Sequence, residues 1–439
     1  MPGTPITGPC HPHKVTGLSV NQGKKVVGVI GAGMVGVATA SFLQRAGHDV
    51  FIVEPGNPGE GTSFGNAGCL NGSSVVPMSM PGTIRNVPGW LSDPMGPLVI
   101  RWSYLPKLAP WLIRFIRAGG RSQVQAQARA LRGLLRDSIS TLTPLIRETG
   151  RDDLLKVLGH LFVYRSEQHW QKEHAAWALR HDNGIAWDEF NADELRQLDP
   201  NLSREYVKGV LVRENGHTTN PHRLVNSLAE VFTRNGGRIE RTRAVGFNLD
   251  GGRLTAISTE NGVLKADTAV VAAGIWSKEL AAELGNSIPL ETERGYHLMI
   301  RDPEVSPRIP TAEAEGKFVV TPMELGMRIA GTVELAGLQA PPNWDRADLL
   351  LKHVRRMYPA LKESYPADQL TKWMGHRPST PDSLPVIGRS RRSPDVVYAF
   401  GHGHIGMAAA PVTGKVVSEI VSNQPTSVDI APFSPERFG

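Results

Sequence analysis

Gly31-Ala-Gly33-Met-Val-Gly36 has the spacing GxGxxG, whose chemistry is phosphate binding by bare backbone. Gly31 permits a tight turn, Gly33 lets the chain approach a pyrophosphate, and Gly36 lets a helix beginning at Met34 and Val35 pack closely on the preceding strand. Glu54 follows where a carboxylate can accept both hydroxyls of an adenosine ribose and repel a 2′-phosphate. The motif alone does not separate FAD from NAD. The small-residue loop Gly59-Glu-Gly-Thr62-Ser63-Phe-Gly-Asn66-Ala67-Gly68 favours FAD, because backbone must run close beside an extended dinucleotide there. A nicotinamide enzyme would more often continue into a third alternating βα unit. A further turn, Gly401-His-Gly403-His404-Ile405-Gly406, precedes an apolar run starting at Met407. Such a turn aims amides and a helix N-terminus at a flavin pyrimidine ring, where negative charge gathers on reduction. His402 and His404 flank it; either could donate to flavin or substrate, or be satisfied in place.

These residues need particular elements to hold them. Lys25-Val-Val-Gly-Val-Ile30 reads as a β-branched strand, the run through Leu43 as a helix stopping at Gly47, and His48-Asp-Val-Phe-Ile-Val-Glu54 as a second strand. Asp395-Val-Val-Tyr-Ala-Phe400 repeats the strand, glycine turn and helix order, with the helix spanning Met407 to Val421. Ala266 to Gly274 reads as another central strand, ending with Ala273 and Gly274 in a tight turn beside the cofactor.

Composition agrees with a large globular chain: 439 residues, 40% hydrophobic and 21% charged, which excludes disordered, fibrous and disulfide-scaffold classes. Two cysteines, Cys10 and Cys69, make no disulfide framework and give no structural metal site. The net charge of +6 suits anionic ligands, and without a dense basic run interleaved with aromatics it argues against nucleic acid. Residues 1–24 lack an apolar h-region and read as a flexible tail. The longest uncharged run, Val26 to Gln44, is broken by glycines, so the expectation is a soluble or at most peripheral protein.

With these clusters in hand, the chain resembles the D-amino-acid oxidase and dehydrogenase superfamily of FAD enzymes from about Lys25 to Gly439. Within that superfamily, the runs Gly61 to Pro81, Glu293-Arg-Gly-Tyr-His297, Trp373 to Gly388 and Gly401 to Gly406 look most like bacterial glyphosate oxidoreductases. The resemblance implies an α/β fold: a Rossmann-type FAD-binding domain with an inserted antiparallel-sheet (α+β) substrate domain. It places FAD-binding pieces at 25–85, 205–285 and 370–439, and substrate-domain pieces at 86–204 and 286–369. It also implies that the Arg of a Gly-x-Arg-Pro motif, here Arg377, holds a substrate carboxylate through two parallel bonds. Relatives usually carry an apolar residue where this chain has His376, which leaves that side chain as a second anion contact or a packing residue. Arg294, Tyr296, His297 and Arg328 fall in segments along the substrate side. Tyr296 is the best of these, since a phenol can close the pocket and donate to a carboxylate, while each of the four is equally a candidate structural residue of the sheet.

The implied reaction is oxidation of a C–N bond. Hydride leaves the carbon beside a neutral amine for flavin N5, and water splits the resulting imine. No metal is required, and no Cys follows Cys69, so the flavin is expected to be non-covalent. An N-substituted glycine such as glyphosate or iminodiacetate would give glyoxylate plus an amine; the alternative, a D-amino acid, would give a keto acid and ammonia. Electrons pass either to O2 or to a membrane quinone. The stretch Pro94 to Arg136 bears on this, with eight Lys or Arg, no Asp or Glu, and Trp102, Tyr104, Trp111 and Phe115 among aliphatics. It reads as substrate-domain helices with solvated basic faces or as a surface resting on an anionic membrane. The expected location is cytoplasmic, free or peripheral on the inner membrane. Arg377 and the glycine turns argue against a flavoprotein kept only as a binding subunit.

Overall fold

A computed structural model describes residues 23–82 and 96–439, with Val87, Gly89 and Asp93 between them. The tail expected over residues 1–24 lies, apart from its last two residues, outside the described residues, as do Cys10, Pro94 and Met95.

The expected βαβ unit forms from Val26–Ile30, Met34–Arg45 and Asp49–Val53. Period-two alternation decides what each strand faces. Val27, Val29, Val50 and Ile52 point into a helical layer, whereas Ile30, Phe51 and Val53 point into a core shared with Phe247, Leu254 and Ile257. The helix is small-residue-rich because it is enclosed: Gly414 of the helix Gly406–Val421 lies so close that a Cβ there would stand 2.8 Å from the Ala38 and Thr39 backbone. It ends where Gly47 turns left-handed at φ +90°.

Six strands make the first sheet, in the spatial order Arg238–Glu240, Asp49–Val53, Val26–Ile30, Thr268–Val271, Val396–Phe400 and Val386–Arg389. The first five run parallel and the last antiparallel. Helices cover one face; the antiparallel sheet of Ala244–Asp250, Arg253–Thr259 and Gly262–Lys265 covers the other. This is the Rossmann-type arrangement.

The second, larger sheet is mostly antiparallel and is built around Glu291–Arg301, which pairs with Gly326–Leu335 on one side and Leu370–Ser379 on the other. Leu298, Ile300, Met327 and Ile329 face the helix Asp345–Met357 and form its core. Two sequence-based boundaries move. Lys208–Val212 and Leu370–Ser379, expected in the FAD-binding pieces, hydrogen-bond into this second sheet, because their alternating residues match its strands in register. Conversely, Val124, Leu131, Leu134, Leu142 and Leu145, expected in the substrate domain, pack into the helical layer of the first sheet.

Candidate active site

The parallel strands Val26–Ile30, Thr268–Val271 and Val396–Phe400 are neighbours, so their C-terminal ends bring three turns side by side. Those turns are Gly31–Gly36, Ala273–Gly274 and Gly401–Gly406, the three that the sequence singles out. Ligands of parallel α/β sheets bind at that edge.

The first turn tolerates little but glycine. Gly31 sits at φ +107°, and a Cβ on Gly36 would fall 1.8 Å from the Gly31 carbonyl oxygen. Gly33 caps the helix with no side-chain hydrogen bond, leaving its N-terminal end to backbone chemistry. The Met34 N–H donates to Ser63 Oγ at 3.0 Å. Glu54 accepts the Ala32 N–H at 2.8 Å and the Gly56 N–H at 3.0 Å, so its carboxylate is fixed at the strand end beside the turn. A glycine turn at a helix N-terminus and an oriented acid together fit the pyrophosphate and ribose of FAD.

The loop carrying Thr62, Ser63, Asn66, Ala67 and Gly68 is clamped to the second sheet. Arg328 Nη1 donates to the Phe64 and Asn66 carbonyls at 3.3 and 2.6 Å. His297 Nδ1 donates to the Gly65 carbonyl at 2.9 Å, which fixes its tautomer. Thr62 Oγ1 donates to the His376 carbonyl at 2.7 Å, and Asn66 Oδ1 accepts the Gly68 N–H at 2.8 Å. Trp373 stacks on His297 at 5.3 Å in a slot that exists because Gly65 and Gly375 carry no side chain; a Cβ on either would lie about 2 Å from the indole.

In the third turn Gly401 and Gly403 adopt φ +82° and +52°. His402 is buried and its Nε2 meets Thr413 Oγ1 at 3.0 Å, so it braces the turn from behind. His404 instead opens into a cleft lined also by Met78, Glu293, Ser379 and Thr380. Desolvation by the surrounding protein first, then the Arg377 guanidinium, pushes the His404 imidazole down to about 4 although its ring is open to the cleft. Burial likewise holds His297 and His402 near 3, so all three rings are neutral at ordinary pH.

Arg377 lies on the cleft side of Leu370–Ser379, opposite Glu293 in register. Its guanidinium crosses Gly295, whose absent side chain makes the room. Nη1 donates to the Thr332 carbonyl at 3.2 Å, and among the described residues that is its one hydrogen bond. Thr332 has φ +58°, and pairing of the long strand shifts register there, from Gly331 against Tyr296 to Glu334 against Arg294. That bulge turns the Thr332 carbonyl toward Arg377. Burial lowers the guanidinium from its usual value while Glu293 opposes the shift, and the group remains charged.

Two sequence-based assignments change. Tyr296 lies on the opposite sheet face from Arg377: its hydroxyl donates to Glu334, it accepts the Asn343 N–H at 2.9 Å, and it is 1% exposed. Its polar capacity is spent within the protein, so it is a structural residue and not a substrate contact. Arg294 joins it, bonded to Glu334 at 3.1 Å and to the Ala340 and Pro341 carbonyls. Arg328, expected to bind substrate, is six positions along the strand from the Arg377 level, roughly 20 Å away. It holds the loop around Phe64 and Asn66 instead. His376 Nδ1 meets Thr292 Oγ1 at 2.8 Å on the face away from Arg377, which favours the packing role over a second anion contact. Sequence reading passes over Glu293, Thr332 and Trp373. Glu293, Gly295 and His297 alternate along one strand, and that period of two was the available signal for a shared face.

Comparison with known proteins agrees with this geometry. A family profile described as FAD dependent oxidoreductase matches residues 27–420. A D-amino-acid oxidase of Bradyrhizobium diazoefficiens is 45% identical over 94% of this chain and 98% of its own. A D-amino acid dehydrogenase of Paramagnetospirillum magneticum is 30% identical over 94% of this chain and 99% of its own. The glycine oxidase of Bacillus cereus superposes with a TM-score of 0.69 at 19% identity, over 92% of this chain and 96% of that one. With three glycine turns at one sheet edge and a profile match spanning both sheets, the chain belongs to the family of FAD-dependent oxidoreductases that act on amino acids and amines.

Proposed function

We propose that the chain oxidises the C–N bond of a D-amino acid, the imine then yielding a keto acid and ammonia. The observation that carries this reading is Arg377, a half-buried guanidinium held by one carbonyl, with donors left over beside the third turn. A planar fork fixes a carboxylate by two parallel bonds and so orients the adjacent carbon, and orientation supplies much of the rate. Bound FAD supplies the two-electron oxidant. The residues that would hold it are Gly31, Gly33, Met34 and Glu54, Ser63 to Gly68, Ala273–Gly274 and Gly403–Met407. The neutral rings of His297 and His404 leave the loss of the ammonium proton to the substrate's own pKa in the cleft. The 45% identity to a D-amino-acid oxidase supports this substrate class.

A second reading, an N-substituted glycine such as glyphosate or iminodiacetate oxidised to glyoxylate plus an amine, is favoured by the resemblance of the runs Gly61–Pro81 and Trp373–Gly388. Anaerobic titration of the yellow holoenzyme with D-amino acids, their L-enantiomers and secondary amino diacids decides between them. Bleaching by D-amino acids supports the first reading, and bleaching by the diacids alone moves the assignment to the second. No bleaching across the panel overturns both.

For the electron acceptor, the helix Leu105–Ala118 supplies the observation. Its inner side is tied to the second sheet: Trp111 Nε1 donates to the Ser379 carbonyl at 3.3 Å, and Tyr104 just before the helix donates to Glu291 at 3.0 Å. Outward it exposes Ile113 and Ile116 beside Lys107, Arg114 and Arg117, with Trp102 before it 70% exposed. We propose that this surface rests on an anionic membrane and that a quinone is the acceptor. Among the described residues no helix is long and apolar enough to cross a membrane. Co-sedimentation with phosphatidylglycerol vesicles, absent with phosphatidylcholine vesicles and abolished by Arg114→Glu with Arg117→Glu, is expected; equal behaviour toward both lipids would remove the proposal.

A further inference from the structure

Glu293 is 6% exposed and hydrogen-bonded to the Ser379 side chain, yet among the described residues no cation lies within 4.0 Å of its carboxylate, while the other acids of the second sheet's centre are closed by cations or a phenol. Glu291 accepts the Tyr104 hydroxyl and the Thr292 N–H. Glu334 is closed by Arg294 and Tyr296, and Glu313 lies 3.0 Å from Arg165. Glu293 alone among these four lines the cleft. A buried carboxylate without a directly bonded cation is only partly compensated for its desolvation, and burial raises its pKa while the Arg377 charge and the Ser379 hydrogen bond offset part of the shift.

The reason Glu293 and Arg377 do not close on each other is geometric. Directly opposed strand residues on one face have Cβ atoms about 5 Å apart, near enough for an ion pair. Arg377 turns over Gly295 instead, where its Cζ occupies the place a Cβ would take, and is tied to the Thr332 carbonyl. The bulge at Thr332 and the glycine at 295 therefore hold a positive and a negative group apart on the same wall. His402 and His404, the other polar rings lining the cleft, are neutral and do not neutralise the acid. A ligand bearing a carboxylate and an ammonium on one carbon fits such a separated pair, whereas a simple anion satisfies only half of it.

We infer that Glu293 contacts the substrate's ammonium group, so that Arg377 and Glu293 together read the zwitterion of an amino acid. The inference rests on the amino-acid reading above and adds a specificity residue to it.

The test uses FAD-loaded enzyme and two ligands with one carbon skeleton: the best amino-acid substrate of the panel and its des-amino carboxylate. Glu293→Gln is expected to raise the dissociation constant of the amino acid at least tenfold in stopped-flow titrations. The inhibition constant of the des-amino acid should stay within threefold of wild type or fall, because a negative charge beside Arg377 has been removed. Equal weakening of both ligands would mean Glu293 is only structural, and unchanged amino-acid affinity would equally overturn the inference. Wild-type enzyme gives an arm independent of folding: the α-hydroxy acid of the same skeleton should bind at least tenfold more weakly than the amino acid, and equal binding refutes the ammonium contact. Failure of the underlying reading looks different, since Arg377→Ala would then leave both ligands bound with wild-type affinity.

Discussion

The two faces of the strand Glu291–Arg301 carry the same chemical pair and put it to opposite uses. On the face toward the helix Asp345–Met357, Arg294 and Glu334 meet at 3.1 Å, Tyr296 adds its hydroxyl, and two carbonyls take further Arg294 donors. On the cleft face, Arg377 and Glu293 are opposed in register but not joined, and Arg377 has one carbonyl partner. A buried charge pair whose members are bonded to each other and to neighbouring groups leaves little for a ligand. A pair held open by a glycine and a bulge keeps its binding capacity, and the protein bears the desolvation cost until a ligand arrives. The same residue types in one strand are thus told apart by how completely the protein satisfies them.

The largest effect expected from breaking this contrast is on the closed face. Arg294→Ala leaves Glu334 and two carbonyls without their donor, and removing one partner of a buried pair typically costs about 3–5 kcal/mol. Urea or thermal unfolding should show a loss of that order, with kcat/KM of the surviving folded fraction near wild type; a normal midpoint with depressed kcat/KM would move Arg294 into the site. On the open face the pattern should invert. Arg377→Ala should leave the unfolding midpoint and FAD content nearly unchanged and cut kcat/KM by an amount equivalent to about 2–5 kcal/mol. A fall of less than about threefold would place the carboxylate contact elsewhere.

Arg328→Met sharpens the comparison within the cleft face. Removing its bonds to the Phe64 and Asn66 carbonyls should weaken FAD retention by about 1–3 kcal/mol, read as flavin lost on desalting, while substrate discrimination persists. A rise in KM at full flavin occupancy would restore Arg328 as a substrate residue.

The smallest effect is with pH. In the folded protein burial lowers His297 to about 3 and, with Arg377, His404 to about 4, both below the free-imidazole value of about 6.5. Neither takes up a proton between pH 5 and 8 on that account, so the rate of flavin reduction should show no inflection near 6.5. The rising limb should instead follow the amine pKa of the substrate, compared across two substrates that differ in it. A limb fixed near 6.5 that vanishes in His404→Ala would make that histidine the base. Stability has the opposite reading: the depressed values mean that the unfolded chain binds these protons first, so the unfolding midpoint should decline as pH falls from 6.5 toward 3.

Much of the cofactor half was legible because it is local. The strand, turn and helix around Gly31 and around Gly401 are contiguous stretches whose periodicity and glycine spacing declare themselves. Arg377 is implied by the family resemblance that its Gly-x-Arg-Pro motif carries. What could not be read was set by long-range register. Tyr296 and Glu293 are three residues apart in sequence, and only the pairing with Gly326–Leu335 and Leu370–Ser379, with its bulge at Thr332, decides which meets the cleft. Domain boundaries slipped for the same reason: Leu370–Ser379 follows the second sheet in hydrogen bonding though it precedes the third turn in sequence. His402 and His404, indistinguishable as letters, separate once Thr413 is seen behind one of them and the cleft before the other.

The three turns that meet at one sheet edge come from opposite ends of the chain, and this sets an order in time. The Gly31 turn leaves the ribosome first, but the Gly401 turn, two strands across the sheet, follows roughly 370 residues later, about 20–70 s at ordinary synthesis rates. The helix Gly406–Val421, which packs on the first helix through Gly414, is the last α-helix among the described residues. Until it arrives, the apolar side of Met34–Arg45 has no partner there, and the flavin-side edge has only two of its three turns. The edge formed by the three turns is therefore complete only once the last of these helices has been made, and until then the apolar side of the early βαβ unit that faces it is uncovered there.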